Sequence, residues 1–428
     1  MLKGIANAFR VKELRDKILL TIGILVLYRI GAYVPVPGIL FEGMLNQFQT
    51  ALGDQSALAL LNLFSGGALA RVSVFSLGIM PYITAQIIMQ MLQAVIPSLG
   101  ELAKEGDAGQ RKITQYTRYI TVGLALLNAV GYLFLFKSDA YGIDFTGIPA
   151  PEWLMDIMVV VTMLAGAMII MWLGEVITQR GVGNGMSLII FANIMAGLPA
   201  AIFSSISQGD NGALMTVLVV LVILAVIPFI IYIERGQRRI PVSYAKRVQG
   251  RRVMGGQSTY IPLKVNAAGV IPIIFASCII YFPAQLAAIF NVDWLTTFAN
   301  WCSTGWLNWL LTVALIVFFA YFYTSMVFNP EETADQLRKQ GGYIPGVRPG
   351  AATAAYIKSV LDHITLPGAL FLAVIAVAPS ILFTFTSNTL IQAFGGTSIL
   401  IMVGVALDTL TQVESQLKTH DYEGLFIR

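Results

Sequence analysis

The sequence predicts an all-α membrane protein that crosses the bilayer ten times. Of its 428 residues, 57% are hydrophobic and 12% are charged, and the mean hydropathy is +0.75. A soluble domain has about 25% charged residues, so an ordinary globular fold is excluded. Ten apolar runs, each close to the ~20 residues that a bilayer core requires, divide the chain between polar loops.

The ten predicted spans follow one another from the N-terminus. They cover residues 18–37, 73–96, 118–136, 153–175, 186–206, 213–233, 266–290, 307–328, 366–391 and 394–413. The first is not a cleaved signal peptide, because it contains Arg29 and ends in Pro-Val-Pro-Gly rather than in a small-residue cleavage site. An even number of spans places both termini on the same side of the membrane.

Basic residues identify that side. Of the 27 Lys and Arg residues, 24 lie in the termini and in the loops on the same side, whereas Arg71 and Lys137 lie on the other. The positive-inside rule therefore places both termini in the cytoplasm. Two cytoplasmic loops, 234–265 and 329–365, are long and basic. Such loops favour an acidic or RNA-containing partner, with anionic lipid head groups as the alternative.

One apolar segment between the first two spans, residues 56–70, is too short to cross a bilayer. It contains Asn62 and a Gly-Gly break. A half-length segment at membrane depth is tolerated where protein or a water-filled cavity surrounds it. The segment is therefore predicted either to be enclosed by the spans or to lie as an interfacial helix on the outer surface.

Few ionisable side chains lie within the spans, and Arg29 and Asp408 are the clear cases. They are expected either to pair or to act separately. Helices broken by Gly and Pro also suit a secondary transporter, but such proteins usually keep buried acids at the substrate site. Pro81 and Pro272 are expected to kink the second and seventh spans.

No pattern of an enzyme or of a cofactor site is present. The sequence lacks the Gly-Lys of a phosphate-binding loop, and its two histidines and two cysteines do not have metal-ligand spacing. No nucleophile, base and acid stand in a plausible catalytic arrangement. The protein is predicted not to be an enzyme, so energy for any work comes from another chain or from an ion gradient.

Several long blocks carry a family resemblance. They include LFSGGALARVSVFSLGIMPYITAQII, EGDAGQRKITQYTRY, MWLGEVITQRGVGNGMSLIIFANI, IERGQRRIPVSYAKRVQGRR, IPLKVNAAGVIPIIFAS, VFNPEETADQLRKQGGYIPGVRPG and FGGTSILI. In this order and spacing, from about residue 14 to the end of the last span, they resemble the SecY family. Its members are the channel subunits of the bacterial protein translocase.

The resemblance implies a clamshell channel with two pseudo-symmetric halves, residues 1–211 with spans one to five and residues 212–428 with spans six to ten. It implies a plug helix at about residues 56–70, which closes the outer funnel. The implied pore ring is Ile79, Ile83, Ile190, Ile274 and Ile401, and the implied plug residues are Leu60, Leu61, Asn62, Phe64, Ser65, Gly66 and Gly67.

The resemblance also implies a lateral gate between spans two, three, seven and eight, and a docking surface on the cytoplasmic loops. The gate residues are Thr84, Gln86, Asn128 and Ser277, and the docking residues are Arg238, Arg239, Arg251, Arg252 and Arg348.

The partners that the resemblance implies are SecE, SecG, SecA and the ribosome with its RNA, together with signal sequences, nascent chains and membrane lipids. The implied location is the bacterial cytoplasmic membrane. The ATPase SecA, the ribosome or the proton-motive force would supply the energy. An accessory SecY paralogue, a secondary transporter and a ribosome-docking platform are the alternative interpretations.

Overall fold

The structure, a computed structural model, consists mainly of long helices. It describes residues 11–37, 62, 65–137, 151–207, 212–244, 247–249, 252–254, 258–290, 292–303, 305–386 and 395–426. Ten helices overlap the ten predicted spans in chain order. They are α1 (Lys12–Gly31), α2 (Met80–Val95), α4 (Asp107–Lys137), α5 (Glu152–Arg180), α6 (Gly185–Ile206), α7 (Gly212–Glu234), α8 (Ile271–Phe290), α10 (Gly305–Val327), α12 (Ala351–Thr386) and α13 (Gly396–Phe426). Three shorter helices lie between them: α3 (Pro97–Lys104), α9 (Asp293–Ser303) and α11 (Pro330–Lys339).

Seven helices in the described part of the chain are long and apolar enough to cross a membrane. The number is eight if α2 and α3, which meet at a bend of 102°, form one broken span. α1 is not among these helices. Most of its charged side chains lie in its first two turns. Those turns precede the apolar part, so the charges lie at the predicted cytoplasmic end.

Several helices extend beyond the predicted spans. α4 begins at Asp107 rather than 118, α12 begins at Ala351 rather than 366, and α13 continues to Phe426 rather than 413. Hydropathy marks where the apolar stretch ends, whereas Lys, Glu, Gln and Arg continue a helix into water at little cost in propensity.

The two proline kinks that the sequence suggested are wrong. α2 begins at Met80 and α8 begins at Ile271, so Pro81 and Pro272 lie in the first turns of their helices. A proline there lacks only an N–H group that would have no partner within the helix. Residues 73–79 and 266–270, which were predicted as helix, form turns with Gly78 at φ +58° and Gly269 at φ +61°.

A small sheet joins the two basic loops. β1 (Gln237–Tyr244) pairs antiparallel with β4 (Ser258–Lys264) on one side and with β5 (Gly342–Tyr343) on the other. The short strands β2 (Arg247–Gln249) and β3 (Arg252–Met254) form a separate hairpin. Buried Ile240, Val242 and Leu263 pack with residues of α11 and α12 beneath the sheet. The two loops therefore belong to one folded unit.

Two groups of contacts connect residues 1–211 to the rest of the chain. On one side, α8 packs against α4 and α2; on the other, α6 packs against α7 and α13, and α13 also contacts α1. A large buried cluster lies between these contacts and includes side chains from α2, α6, α8 and α13. This cluster contains all five isoleucines that were predicted for the pore ring.

Candidate functional site

The five isoleucines predicted as a ring lie in one buried cluster. Ile79 caps α2 and Ile83 is on its first turn, whereas the other three are on α6, α8 and α13. Each is at most 6% exposed. The beginning of α2 and the helices α6, α8 and α13, which are distant in sequence, thus share one apolar cluster.

Local sequence explains how α6 brings Ile190 to this place. In the GVGNG motif, the Asn184 side chain accepts a hydrogen bond of 3.1 Å from the Met186 N–H and caps the helix. The next residue, Gly185, lies so close to the Gly174 carbonyl of α5 that a side chain would not fit. The cap and the close approach fix α6 against α5, and Ile190 follows one turn later.

A tight turn follows Asn62 and lies against the same cluster. The Asn62 carbonyl accepts bonds from the Gly67 N–H at 2.8 Å and the Ser65 hydroxyl at 2.9 Å, and its side-chain oxygen accepts from the Ala70 N–H at 2.9 Å. Gly66 and Gly67 have φ values of +68° and +81°, which favour glycine. We refer to residues 62 and 65–72 as the plug turn. Leu60, Leu61 and Phe64, also predicted for the plug, lie outside the described residues.

The plug turn is part of the buried cluster that contains the isoleucines. Ala68, Leu69 and Val72 have no measurable exposure and pack in that cluster. The segment is therefore enclosed by the spans, and it does not lie on the surface as an interfacial helix. This agrees with the first of the two alternatives for residues 56–70, within the part that the structure describes.

Two side chains from different spans form a seat for the plug turn. The Arg29 guanidinium of α1 donates a 2.7 Å hydrogen bond to the Gly66 carbonyl. A methyl group built on Gly66 would lie 2.5 Å from Oδ1 of Asn193, a fully buried residue of α6. The turn is thus held at Gly66 by a charge-assisted bond on one side and by close packing on the other.

A pair of cation–π contacts supports the seat. The guanidinium carbons of Arg29 and Arg71 lie 5.2 Å and 4.2 Å from the centre of the Tyr33 ring. The negative face of an aromatic ring attracts such cations. Arg71 belongs to the plug turn, and Tyr33 directly follows α1. These contacts therefore connect the plug turn to α1 a second time, in addition to the bond between Arg29 and Gly66.

The four predicted gate residues lie on helices that contact one another. α8 packs against α2 and α4, and also against α10, where Phe275 and Phe319 meet edge to face with ring centres 5.5 Å apart. The Thr84 and Ser277 hydroxyls, however, donate to carbonyls of their own helices, at 3.0 Å and 2.9 Å. Gln86 and Asn128 are half-buried.

The predicted docking arginines lie on or near the small sheet. Arg238 and Arg239 are exposed on β1, and the Arg239 guanidinium lies 4.8 Å from the centre of the Tyr260 ring on β4. Arg348 is exposed in the loop between β5 and α12. Arg252 begins β3, and Arg251 lies outside the described residues. The structure thus brings at least three of the five arginines to one folded unit.

Known proteins share both the sequence and the fold. A sequence model of the SecY family matches residues 73–410. This chain belongs to the SecY family. The protein translocase subunit SecY of Streptomyces coelicolor is 47% identical over 440 residues that cover 100% of both chains. The subunit of Corynebacterium glutamicum is 46% identical and covers 99% of this chain and 100% of the relative.

Solved structures give the same SecY fold at lower identity. A protein-conducting channel has a TM-score of 0.61 at 19% identity, with 93% of this chain and 91% of that chain covered. Sec61 in the canine ribosome–channel complex has a TM-score of 0.58 at 18% identity, with the same coverage. At this identity the likeness shows the fold alone.

Sequence reasoning missed both contacts at Gly66 in this SecY-family chain. Arg29 was noticed as a charge within a span, but it bonds to Gly66 and stacks on Tyr33 rather than pairing with Asp408, which lies near Gly269. Asn193 was not noticed at all. An ionisable residue within a span is in itself a signal of function, but its partner is visible only in three dimensions.

An ion pair with a buried carboxylate was also missed. Arg118 of α4 binds Glu175 of α5 through both carboxylate oxygens, with Nε donating at 2.9 Å, and the Glu175 side chain is only 8% exposed. The sequence placed Glu175 near the end of a span, where a charge costs less. Its burial is compensated by the bidentate arginine.

Proposed function

We propose that this chain is the channel subunit of a bacterial protein translocase. It conducts unfolded secretory proteins across the cytoplasmic membrane and releases membrane proteins sideways into the lipid. The observation that carries the proposal is the single buried cluster that the isoleucine ring shares with the plug turn. A pore remains closed at rest when a plug packs against its constriction.

Isoleucine suits the wall of such a pore. A protein-conducting channel must pass any side chain while leaking little water or salt. Charged or hydrogen-bonding walls would retain some substrates and conduct ions, whereas a narrow apolar constriction loses its water and blocks ions. Branched aliphatic side chains make only non-specific contacts, so they close around a peptide of any sequence.

Lateral release follows from a clamshell with halves 1–211 and 212–428. The contact of α8 with α2 and α4 is the seam that opens, and the contact of α6 with α7 and α13 is the hinge. A segment of twenty leucine-like residues gains roughly 6–12 kcal/mol on entering lipid. Polar contacts between membrane helices contribute only about 0.6 kcal/mol each, so a signal sequence displaces several of them.

The cytoplasmic sheet is the proposed docking site of the energy source. Its exposed arginines suit an acidic partner surface, here assigned to the SecA motor, or the RNA of a ribosome. The excess of basic residues on this side supports cytoplasmic termini. SecE and SecG complete the proposed complex, and the proton-motive force acts with SecA. Arg348 is assigned to productive engagement of SecA.

The test is the passage of a fluorescent secretory precursor into liposomes that contain this chain with SecE and SecG, with SecA and ATP outside. We expect protease-protected precursor with the unchanged chain and a loss of about tenfold or more with Arg348→Glu, since each 1.4 kcal/mol of binding is a factor of ten. Lys339→Glu, the same charge reversal at an exposed residue of α11, is the matched control and should retain passage.

Two results would contradict the proposal. Absence of passage, with SecA bound and the complex folded, would favour an accessory paralogue or a docking platform. Equal losses with Arg348→Glu and Lys339→Glu would show that the motor responds to overall charge, and the assignment of Arg348 would then be wrong.

A further inference from the structure

The short helix α9 presents an aromatic face that no part of the described chain covers. Trp294, Phe298 and Trp301 are spaced by four and three residues, so they lie on one side of the helix. They are 70%, 46% and 64% exposed, and Trp306, which follows at the start of α10, is 69% exposed. Exposure to water of this much aromatic surface, which we call the aromatic stripe, is unfavourable in free energy.

The opposite side of α9 is packed on the protein. Ala299 and Cys302 are 4% and 7% exposed, and the helix contacts both α8 and α10. The packing of α9 on α8 and α10 therefore fixes the direction of the stripe, and the tryptophans point away from the protein.

The surroundings of α9 indicate what covers the stripe. The helix connects two apolar spans, α8 and α10, whose own exposed side chains include Phe282 and Leu310. Exposed apolar side chains on membrane spans face lipid, and the stripe lies on the helix that directly joins these two spans. Tryptophan is enriched at this level, because its ring is apolar and its N–H seeks a polar partner.

We propose that α9 lies in the interfacial layer of the bilayer, with its tryptophans between the phospholipid head groups and the upper acyl chains. The helix contains no Lys or Arg residue, so burial of aromatic surface holds it there and anionic lipid does not. The assignment rests on the membrane location of the proposed function, and with cytoplasmic termini the leaflet is the outer one.

This anchor has a consequence for the seam. α8 and α10 are two of the four helices of the proposed lateral gate, and α9 joins them directly. An interfacial helix at this connection fixes the depth of both helices in the membrane. The gate is thereby held not only by contacts between its helices but also by the contact of α9 with the bilayer surface.

Depth is measured with a nitroxide spin label at Phe298→Cys in phosphatidylcholine liposomes, with the chain in its complex with SecE and SecG. Collision rates with oxygen and with a water-soluble nickel chelate report the position of the label. Phe318→Cys, 54% exposed midway along α10, serves as the hydrocarbon reference, and Lys339→Cys on α11 serves as the aqueous reference. The unsubstituted chain should take up no label, because Cys278 and Cys302 are buried and burial raises the pKa of the Cys302 thiol.

We expect nickel collisions at residue 298 to be several-fold fewer than at 339 and more frequent than at 318, equally with and without anionic lipid. Collision rates equal to those at 339 would overturn the proposal. So would a label at 298 immobilised by SecE or SecG, since a protein would then cover the stripe. Water exposure at 318 would instead contradict the membrane location itself, so the two failures are distinguishable.

Discussion

The isoleucine ring and the plug turn are neighbours in one buried cluster, but different contacts hold them. The ring side chains, such as Ile190 and Ile274, meet other apolar side chains and are positioned by burial. The plug turn also buries apolar side chains in this cluster, but it has directional bonds in addition: Arg29 donates to the Gly66 carbonyl, and Asn62 accepts three bonds within the turn. One part of the site is shape-tolerant and the other is specific.

The difference corresponds to what each part must do. A ring that closes around a moving peptide meets a new surface at every step, so non-directional contacts are suitable. A plug must leave and then return to one position, which requires contacts that only that position satisfies. A hydrogen bond to a charged group contributes about 1.5–3 kcal/mol. In the proposed function, a bond of this strength favours the closed state and still allows a substrate to displace the plug.

The largest effect is expected when the ring itself becomes polar. Replacing Ile83, Ile190 and Ile274 together with Ser removes the apolar surface of the constriction and adds hydroxyl groups that hold water. Ion conductance of the complex in planar bilayers should rise by about tenfold or more, since wetting removes the barrier to ions. The matched control is Leu at the same three positions, which conserves volume and should change conductance little.

Two outcomes would count against this view of the ring. If the serine variant, folded and present in equal amount, leaks no more than the unchanged chain, the isoleucines are not the seal. If the leucine variant leaks as much as the serine variant, shape rather than polarity is decisive, and the contrast between a tolerant ring and a specific plug is lost.

A smaller effect is expected at the plug seat, where two adjacent glycines provide a controlled comparison. Gly66→Ala and Gly67→Ala each place a side chain at positive φ, at a cost of about 1–2 kcal/mol. At Gly66 the new methyl would also lie 2.5 Å from Asn193 Oδ1 and 2.8 Å from an Arg29 nitrogen, whereas at Gly67 its nearest neighbour is 3.5 Å away. Channel openings in single-channel recordings should therefore increase more with Gly66→Ala.

Equal increases in the two variants would mean that backbone strain alone displaces the plug, and the seat formed by Arg29 and Asn193 would have no role of its own. A larger increase with Gly67→Ala would contradict the arrangement at Gly66 directly. Either result would leave the ring unaffected, so the two parts of the seal are tested separately.

Much of the fold was predictable, because its signals are local. Apolar runs of the right length indicated the spans, and the helices overlap all ten positions. Helix ends were less accurate. The end of an apolar run is not the end of a helix: α13 continues thirteen residues beyond the predicted limit, as far as Phe426. Pro81 and Pro272 were taken for kinks because their distance from the helix start was not known.

The candidate site also has a part that could be predicted from the sequence and a part that could not. The isoleucines were identified by resemblance to a family, and composition alone would have left them among ordinary core residues. The seat of the plug could not be predicted, since it joins Arg29, Gly66 and Asn193, which are far apart in sequence. Which carbonyl Arg29 contacts depends on how the turn packs between α1 and α6. The aromatic stripe of α9, by contrast, is visible in its spacing once the helix is known.

The proposed seam is a third region, and Asn128 tests whether a weak polar contact helps to hold it closed. This half-buried residue lies on α4, which packs against α8. If its polar group helps to hold the seam, Asn128→Leu removes about 0.6 kcal/mol of contact. The hydrophobicity at which half of a test segment inserts should then fall by roughly one to two leucines, at about 0.3–0.6 kcal/mol each. The measurement is an insertion curve for segments of graded leucine content.

Leu126→Ala on the same helix is the control, because Leu126 is 46% exposed on the surface that faces lipid, and it should leave the curve unchanged. An unchanged curve for Asn128→Leu would remove Asn128 from the gate. A shift toward more leucines would mean that apolar packing, and not a polar contact, holds the seam closed. The seam would then resemble the ring, and specific contacts would be confined to the plug turn.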